Sequence, residues 1–192
     1  MGNVRVSHPA RASIRATVVA VIALLAASVP AIAHAAPRAS DFDFSPYRSV
    51  NADDYRSVAY VDNGRHYFTA GGWRCQIGPQ ANAMACRGRP ATAPPGTIGV
   101  AVSGESQGPY WVRKGTSFEL GPVSGYRPRV LPVGSRITVA NVTCAAPRAG
   151  VVACRNWNLG FLLSRAGHRF LYPAGDTAHS ANPKRHPQPA RR

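Results

Sequence analysis

Acidic residues are scarce in this chain: 8 of its 192 residues are Asp or Glu, against 23 Lys and Arg. Asp53 and Asp54 are adjacent, and sequence neighbours point apart, which does not suit the facing carboxylates of a glycoside hydrolase. The chain also lacks a phosphate-binding P-loop, a dinucleotide-binding fingerprint and an HExxH metalloprotease motif. We therefore expect no cofactor and no metal.

Long apolar runs are lacking except for residues 16–29. Three arginines precede this run, and Ala33-His34-Ala35 follows it with the small residues of a cleavage site. The pattern predicts a signal peptide over residues 1–35, with an uncleaved N-terminal anchor as the alternative. Because no second apolar run follows, we expect no membrane span after cleavage, and a protein secreted to the extracellular medium or the cell envelope.

Lysine is nearly absent: Lys114 and Lys184 are the only two, so the positive charge is carried by arginine. Removal of residues 1–35 takes away three basic residues and no acid, which leaves a net charge of +12. A basic surface favours an anionic partner, such as an anionic wall polymer. The arginines are scattered singly, which also fits a solvated surface, and we expect no nucleic acid partner.

The cysteines are few but paired in sequence. Cys75 and Cys86 bracket one turn-prone segment, and Cys144 and Cys154 bracket another. An exported chain with an even number of cysteines is expected to be oxidised. Three pairings are formally open, and the local one fits best because each bracket can fold as a hairpin. A zinc site is the rival, but the spacing lacks a CxxC knuckle.

The two brackets share an order of features: a strand, Cys, a loop, Ala, Cys and Arg. Two short hairpins can reach this order independently, so we do not take it as evidence of a repeat.

Helical periodicity is missing throughout residues 58–172, where short runs of Val, Ile, Thr and aromatic residues alternate with Gly and Pro. This pattern predicts an all-β domain, a small sandwich or barrel of short antiparallel strands with two disulfide-closed hairpins. The expected strands are 58–62, 66–70, 73–77, 83–87, 97–103, 109–113, 116–120, 135–143, 150–155, 160–165 and 169–172.

Two segments flank the predicted domain. Residues 36–57 mix acids, aromatics and turn formers, and we expect their aromatics to anchor an N-terminal arm on the domain. Residues 173–192 contain several prolines and almost nothing apolar. Such a segment buries too little surface to offset its ordering entropy, so it predicts a disordered basic tail.

Ser106 lies in Gly104-Glu105-Ser106-Gln107-Gly108, which fits the G-x-S-x-G pattern of serine hydrolases. A nucleophilic serine of that kind needs a strand before it and a helix after it. Pro109 and a β-rich segment follow instead, and Asp176 and His179, which would complete the triad order, lie in the predicted tail. Ser106 is therefore a weak catalytic candidate, and a surface hairpin turn is the better interpretation.

A family resemblance rests on three segments: "YRSVNADDY" (47–55), "YFTAGGWRCQIGPQANAMAC" (67–86) and "LPVGSRITVANVTCAAPRAGVVACRNWNLGFLLSRAGHRF" (131–170). Their turns, cysteines and "G-F-x-x-S-R" ending resemble small exported two-disulfide proteins of mycobacteria and related actinobacteria. The likeness covers about residues 42–172 and departs at Ala70, where the pattern has Pro. It implies export and a shared fold, and it carries no biochemical activity or catalytic residues.

These observations predict a secreted or envelope-associated binding domain that is not an enzyme, with a small serine hydrolase using Ser106 as the alternative. The partner would be an anionic wall polymer or a carbohydrate. Trp73, Trp111 and Trp157 are candidates for a sugar-stacking face, although tryptophans more often lie in a core or at its rim.

Overall fold

Two antiparallel meanders, each of five strands in chain order, form most of the structure. The computed structural model describes residues 39–103, 107–116 and 119–176, which belong to one compact unit. The first half of the chain supplies β1 (Arg48–Ser49), β2 (His66–Ala70), β3 (Trp73–Ile77), β4 (Met84–Arg87), β5 (Thr97–Ser103) and β6 (Gln107–Arg113). The second half supplies β7 (Arg129–Val130), β8 (Ser135–Val139), β9 (Val142–Ala145), β10 (Val152–Asn156), β11 (Leu159–Leu163) and β12 (His168–Leu171). The helices in the described residues are three short 3₁₀ turns, Ala39–Phe42, Ala52–Tyr55 and Tyr60–Asp62.

The strands form two six-stranded sheets that pack face to face. The first sheet has the order β6-β5-β4-β3-β2-β7, and the second has the order β1-β8-β9-β10-β11-β12. One buried cluster joins Phe68 and Val100 of the first sheet to Ile137 and Phe161 of the second. The all-β fold predicted from the sequence is confirmed, and the two separate sheets make it a sandwich rather than a barrel.

Both disulfides lie in this shared core. Cys75 and Cys86 are directly opposite on β3 and β4, and Cys144 and Cys154 are directly opposite on β9 and β10. The Cα atoms are 4.0 Å apart in each pair, and both bonds are formed. The predicted local pairing is confirmed, and no cysteine among the four is left to bind zinc. Two disulfides indicate an oxidising, extracytoplasmic environment.

The two halves of the chain repeat one another strand for strand. In the first meander one cross-strand row contains Phe68, Cys75, Cys86, Val100 and Trp111. In the second meander the corresponding row contains Ile137, Cys144, Cys154, Phe161 and Phe170. The order shared by the two cysteine brackets therefore extends over five strands in the same register, and the structure shows an internal repeat that the sequence alone did not justify.

Each half places its leading segment on the other half's sheet. Within the N-terminal arm, residues 39–49 pack Phe42 and Phe44 on the outer face of the second sheet and end in β1, which pairs in parallel with β8. The central arm, residues 119–130, packs Leu120 on the outer face of the first sheet and ends in β7, which pairs in parallel with β2. The two halves are thus connected by an exchange of arms.

Gly99 and Gly160 are equivalent positions where an arm approaches the sheet backbone. A Cβ at Gly99 would lie 2.6 Å from both the carbonyl oxygen of Cys86 and a methyl carbon of Leu120. A Cβ at Gly160 would lie 2.7 Å from the carbonyl oxygen of Cys154 and 3.1 Å from the Phe42 ring. Both positions require glycine because a side chain would push the arm and the neighbouring strand apart.

We expect Gly99→Ala and Gly160→Ala each to lower the free energy of unfolding by about 1–3 kcal/mol, because overpacking strains the neighbouring strand. Chemical denaturation would measure the loss. Gly167→Ala is the control, since its Cβ would meet nothing closer than a Thr92 side-chain atom at 3.5 Å. Equal stability of all three variants would contradict the close arm contacts.

Three of the expected strands are wrong. Residues 58–62 contain the 3₁₀ turn Tyr60–Asp62 rather than a strand, and the aliphatic and aromatic side chains there are exposed. Residues 119 and 120, at the end of the expected strand 116–120, have no regular structure. The expected strand 135–143 is the β8–β9 hairpin, because Ala140 and Asn141 form a turn. Apolar and polar residues alternate on both sides of this turn in "SRITVANVTC", so the sequence predicted a single strand.

Residues 1–38 and 177–192 lie outside the described part of the chain. The predicted signal peptide and most of the predicted tail therefore remain predictions. Within the described residues, no helix is long and apolar enough to cross a membrane.

Candidate functional site

Ser106 lies outside the described residues, and so does His179. The described segments on either side of the G-x-S-x-G motif are β5 and β6, and β6 begins at Gln107. A strand therefore follows the motif where an elbow serine requires a helix. β5 and β6 are antiparallel neighbours in the described residues, and the role of Ser106 itself stays a prediction.

One end of the sandwich carries a polar depression, which we call the loop-end depression. It is formed by the segment before β2, the β3–β4 loop and the β8–β9 turn, and it encloses about 440 Å³. Both halves of the chain contribute to it. Polar side chains line it together with apolar ones: Asp53, Arg56, Asn63, His66, Gln80 and Asn82, with Ile77, Pro79, Val139 and Val142. A concave site with a few converging polar groups is the usual form of a ligand site.

The charged groups of the depression influence one another. Burial lowers the pKa of His66, the nearby Arg56 guanidinium lowers it further, and Asp53 partly opposes them. Because an ordinary histidine titrates near pH 6.5, His66 is neutral at pH 7 and its ring can both donate and accept a hydrogen bond. The depression therefore presents one cation, one anion and several neutral hydrogen-bonding groups.

The backbone around this end is unusual. Four non-glycine residues in the described chain have positive φ: Asn63 at 50°, Asn82 at 65°, Ala140 at 49° and Trp157 at 37°. Three of them line the loop-end depression, and Trp157 follows Asn156, whose amide donates to the Asn82 carbonyl at 2.8 Å. Residues held in this conformation cost free energy and concentrate at binding sites. Ala140 and Trp157 are the costlier two, since asparagine tolerates the left-handed region.

The three tryptophans do not share a face. Trp73 is buried in the core, and its indole N–H donates to the Gly150 carbonyl at 3.2 Å. Trp111 is half-buried among His168 and Phe170 at the β6–β12 edge of the sandwich. Trp157 is 70% exposed in the β10–β11 turn, at the same end as the loop-end depression. The sugar-stacking face suggested by the sequence reduces to this one tryptophan.

Asp62, His66 and Tyr67 are neighbours in sequence with separate roles. His66 faces the loop-end depression, while Tyr67 is fully buried on the opposite face of β2, with its ring centroid 5.9 Å from that of Tyr126 in the central arm. Asp62 is fully buried and accepts hydrogen bonds from Ser57 and from the central arm. His66 and Tyr67 therefore face opposite sides of β2 and do not converge on one site.

Asp62 fixes the central arm to the first half. One carboxylate oxygen accepts from the backbone N–H groups of Val123 and Ser124 at 2.9 and 3.2 Å, and the other accepts from the hydroxyls of Ser57 and Ser124. Burial by itself raises the pKa of this carboxyl, but the four hydrogen bonds outweigh it and hold the pKa below its ordinary value. Asp62 is ionised and structural at neutral pH.

Two arginines stand directly opposite each other on the outer face of the first sheet. Arg74 of β3 pairs with Arg87 of β4, and both side chains are exposed. The ion pairs of the described residues are Arg65–Glu119, Arg129–Asp54 and Arg169–Asp41, so neither Arg74 nor Arg87 has a carboxylate partner there.

The second sheet has Thr143 and Arg155 at the positions equivalent to Arg74 and Arg87. The Arg155 guanidinium lies 5.7 Å from the Phe44 ring centroid.

Comparison with protein-family models, with curated proteins and with solved structures finds no match for this chain. The described residues contain no group of three or more His, Cys, Asp and Glu side chains placed to hold a metal ion.

Sequence reasoning did not find the loop-end depression because its walls come from distant segments: Asn82 lies 19 residues after Asn63, and Ala140 lies 58 residues after Asn82. The Asn63-Gly64 pair, typical of a tight turn, was the one local signal of it.

Proposed function

We propose that this protein is an extracytoplasmic, envelope-associated or secreted binding domain whose partner is an anionic polymer. The observation that carries the proposal is the Arg74–Arg87 pair. Like charges directly opposite on adjacent strands repel each other and destabilise a sheet. An anion that bridges the two guanidinium groups removes this repulsion and gains charge-assisted hydrogen bonds.

The chemistry of arginine supports the same partner. Guanidinium groups match carboxylate and phosphate oxygens with two parallel hydrogen bonds, and they are less strongly hydrated than lysine ammonium groups. The described residues carry 15 arginines and lysines against seven acids, so the field around the pair is positive. A polymer with repeated anionic groups can contact the pair and further exposed arginines, such as Arg89 on the segment after β4.

We expect Arg74→Gln/Arg87→Gln to weaken binding to a soluble polyanion about tenfold at low salt, since each exposed ion contact contributes about 0.5–1 kcal/mol. Titration against polygalacturonate and against polyphosphate would measure this, and the two probes distinguish carboxylate from phosphate recognition. Binding of the native protein should also fall as salt is raised.

Arg148→Gln/Arg165→Gln is the matched control because it removes the same charge from exposed loops of the second sheet. Binding that falls equally in both double variants would show a diffuse charge effect rather than a site. The proposal is overturned if the native protein binds neither polymer at about 20 mM salt. At this concentration charges are screened less than at about 100 mM, where the screening length is about 10 Å.

A further inference from the structure

We propose that the loop-end depression is a separate binding site for a neutral saccharide chain, with Tyr60 and Trp157, both exposed at this end of the sandwich, as stacking platforms. This goes beyond the polyanion surface, because it uses different residues and a different chemistry.

Two exposed aromatic side chains mark this end of the sandwich. Tyr60 is 98% exposed and Trp157 is 70% exposed. Tyr60 lines a second hollow that shares Arg56, Asn63 and Gly64 with the loop-end depression. Tyr60 shares that hollow with Val58, which is 97% exposed, and an exposed apolar patch of neighbouring side chains is typical of an interaction site. The rings of Tyr60 and Trp157 have an electron-rich face that attracts the C–H groups on one side of a sugar ring.

The polar groups that line the depression suit hydroxyls better than charges. Asp53 accepts, Arg56 donates, and Gln80 does both. His66 is held neutral by burial and by Arg56, so it also offers one donor and one acceptor. Opposite charges on Asp53 and Arg56 disfavour a purely anionic or cationic ligand. A concave site that offers both donors and acceptors, with exposed aromatic side chains at the same end of the sandwich, suits a chain of sugar hydroxyls.

The conformation of Trp157 supports a functional role. It occupies the first position of the two-residue turn between β10 and β11, with φ at 37°. Glycine takes this conformation without strain, and the first turn of the fold, between β2 and β3, uses Gly71 and Gly72. A bulky indole there is costly for the fold, and 70% of its surface stays exposed. An exposed, strained residue is accounted for when its side chain contacts a ligand.

The test uses the full mature chain and an array of neutral linear oligosaccharides that includes cellotetraose, chitotetraose, mannotetraose and an α-1,4-linked glucan. We expect at least one of them to bind and to protect Trp157 from iodide quenching. Trp73 is buried, so the quenchable signal reports mainly on the exposed indole. The proposal is overturned if no member of the array binds at about 10 mM. At this concentration a ligand with a dissociation constant of about 1 mM would occupy about 90% of the sites.

Trp157→Gly should weaken that binding at least tenfold while its thermal midpoint stays at or above that of the native protein. Ala140→Gly relieves similar backbone strain in the neighbouring turn, and it serves as the stability control. Tyr60→Ala should also weaken binding without a change in the thermal midpoint. Undiminished binding in both aromatic variants, or a lower midpoint in Trp157→Gly, would contradict the assignment.

The arginine pair separates this site from the polyanion surface. Arg74→Gln/Arg87→Gln should bind the oligosaccharide as the native protein does, and Trp157→Gly should keep its affinity for polygalacturonate or polyphosphate. If both ligands lose affinity in both variants, the two sites are not independent and the saccharide proposal fails.

Discussion

Replacing Cys75 and Cys86 together with alanine should lower the free energy of unfolding by about 2–4 kcal/mol, and the Cys144→Ala/Cys154→Ala variant should lose a similar amount. A disulfide stabilises mainly by restricting the unfolded chain, and the effect grows slowly with loop length. The two bonds close loops of 11 and 10 residues, so the expected costs are nearly equal. Denaturant titration under oxidising conditions would give both values.

A control separates the cross-link from the sulfur atoms that fill the core. Native protein measured after full reduction keeps its sulfur volume and loses only the covalent bonds. We expect its stability to lie near or slightly above that of a variant lacking all four cysteines. Losses below about 1 kcal/mol at both sites would show that the packed sheets, and not the disulfides, hold the two hairpins.

Asp62→Ala should lower the free energy of unfolding by about 3 kcal/mol or more. The substitution removes the shared acceptor of two backbone N–H groups and two hydroxyls, and each buried donor left unpaired costs about 1–3 kcal/mol. Because three of these four donors belong to Val123 and Ser124, the central arm should loosen first. Hydrogen exchange of residues 119–130, compared with the strands, would detect this.

The pH dependence gives a second measurement on Asp62. Its pKa is lower in the folded than in the unfolded protein, so its contribution is complete above the unfolded value of about 3.9 and is lost as pH falls through the folded value. Asp62→Ala should therefore show a shallower loss of stability below pH 4 than the native protein.

Asp54→Ala is the matched control, because that carboxylate is about half exposed and lies 4.0 Å from Arg129. It should cost less than about 1 kcal/mol. If the two aspartate variants lose equal stability, Asp62 does not act as the anchor described here.

The fold class was predictable from local patterns, while the pairing of distant segments was not. Short runs of β-branched and aromatic residues bounded by turn residues predicted β3 and β5, and the cysteine spacing predicted both disulfides. β1 and β7 were missed because a two-residue strand has no periodicity, and each exists only by pairing with a strand of the other half.

The candidate sites show the same limit. Ser106 attracted attention because its motif is contiguous in sequence, whereas the loop-end depression combines segments from both halves. The β-branched and aromatic side chains of Val58 and Tyr60 predicted a strand. The Ser57–Asp62 hydrogen bond instead closes a turn in which Val58 and Tyr60 are exposed. The Arg74–Arg87 pair became visible only once the β3–β4 register placed the two side chains together.

The crossing of the two arms has a consequence for how the architecture can arise. If the halves were separate polypeptides, the same contacts would describe a domain-swapped homodimer in which the N-terminal segment of each subunit packs on the sheet of the other. In a single such unit, one edge strand of the sheet would be unpaired and the outer face beside it would be exposed to solvent. Joining two copies in tandem makes that mutual covering intramolecular and frees the corresponding surfaces to diverge. The bare arginines on one side and the aromatic cover over Arg155 on the other are such a divergence.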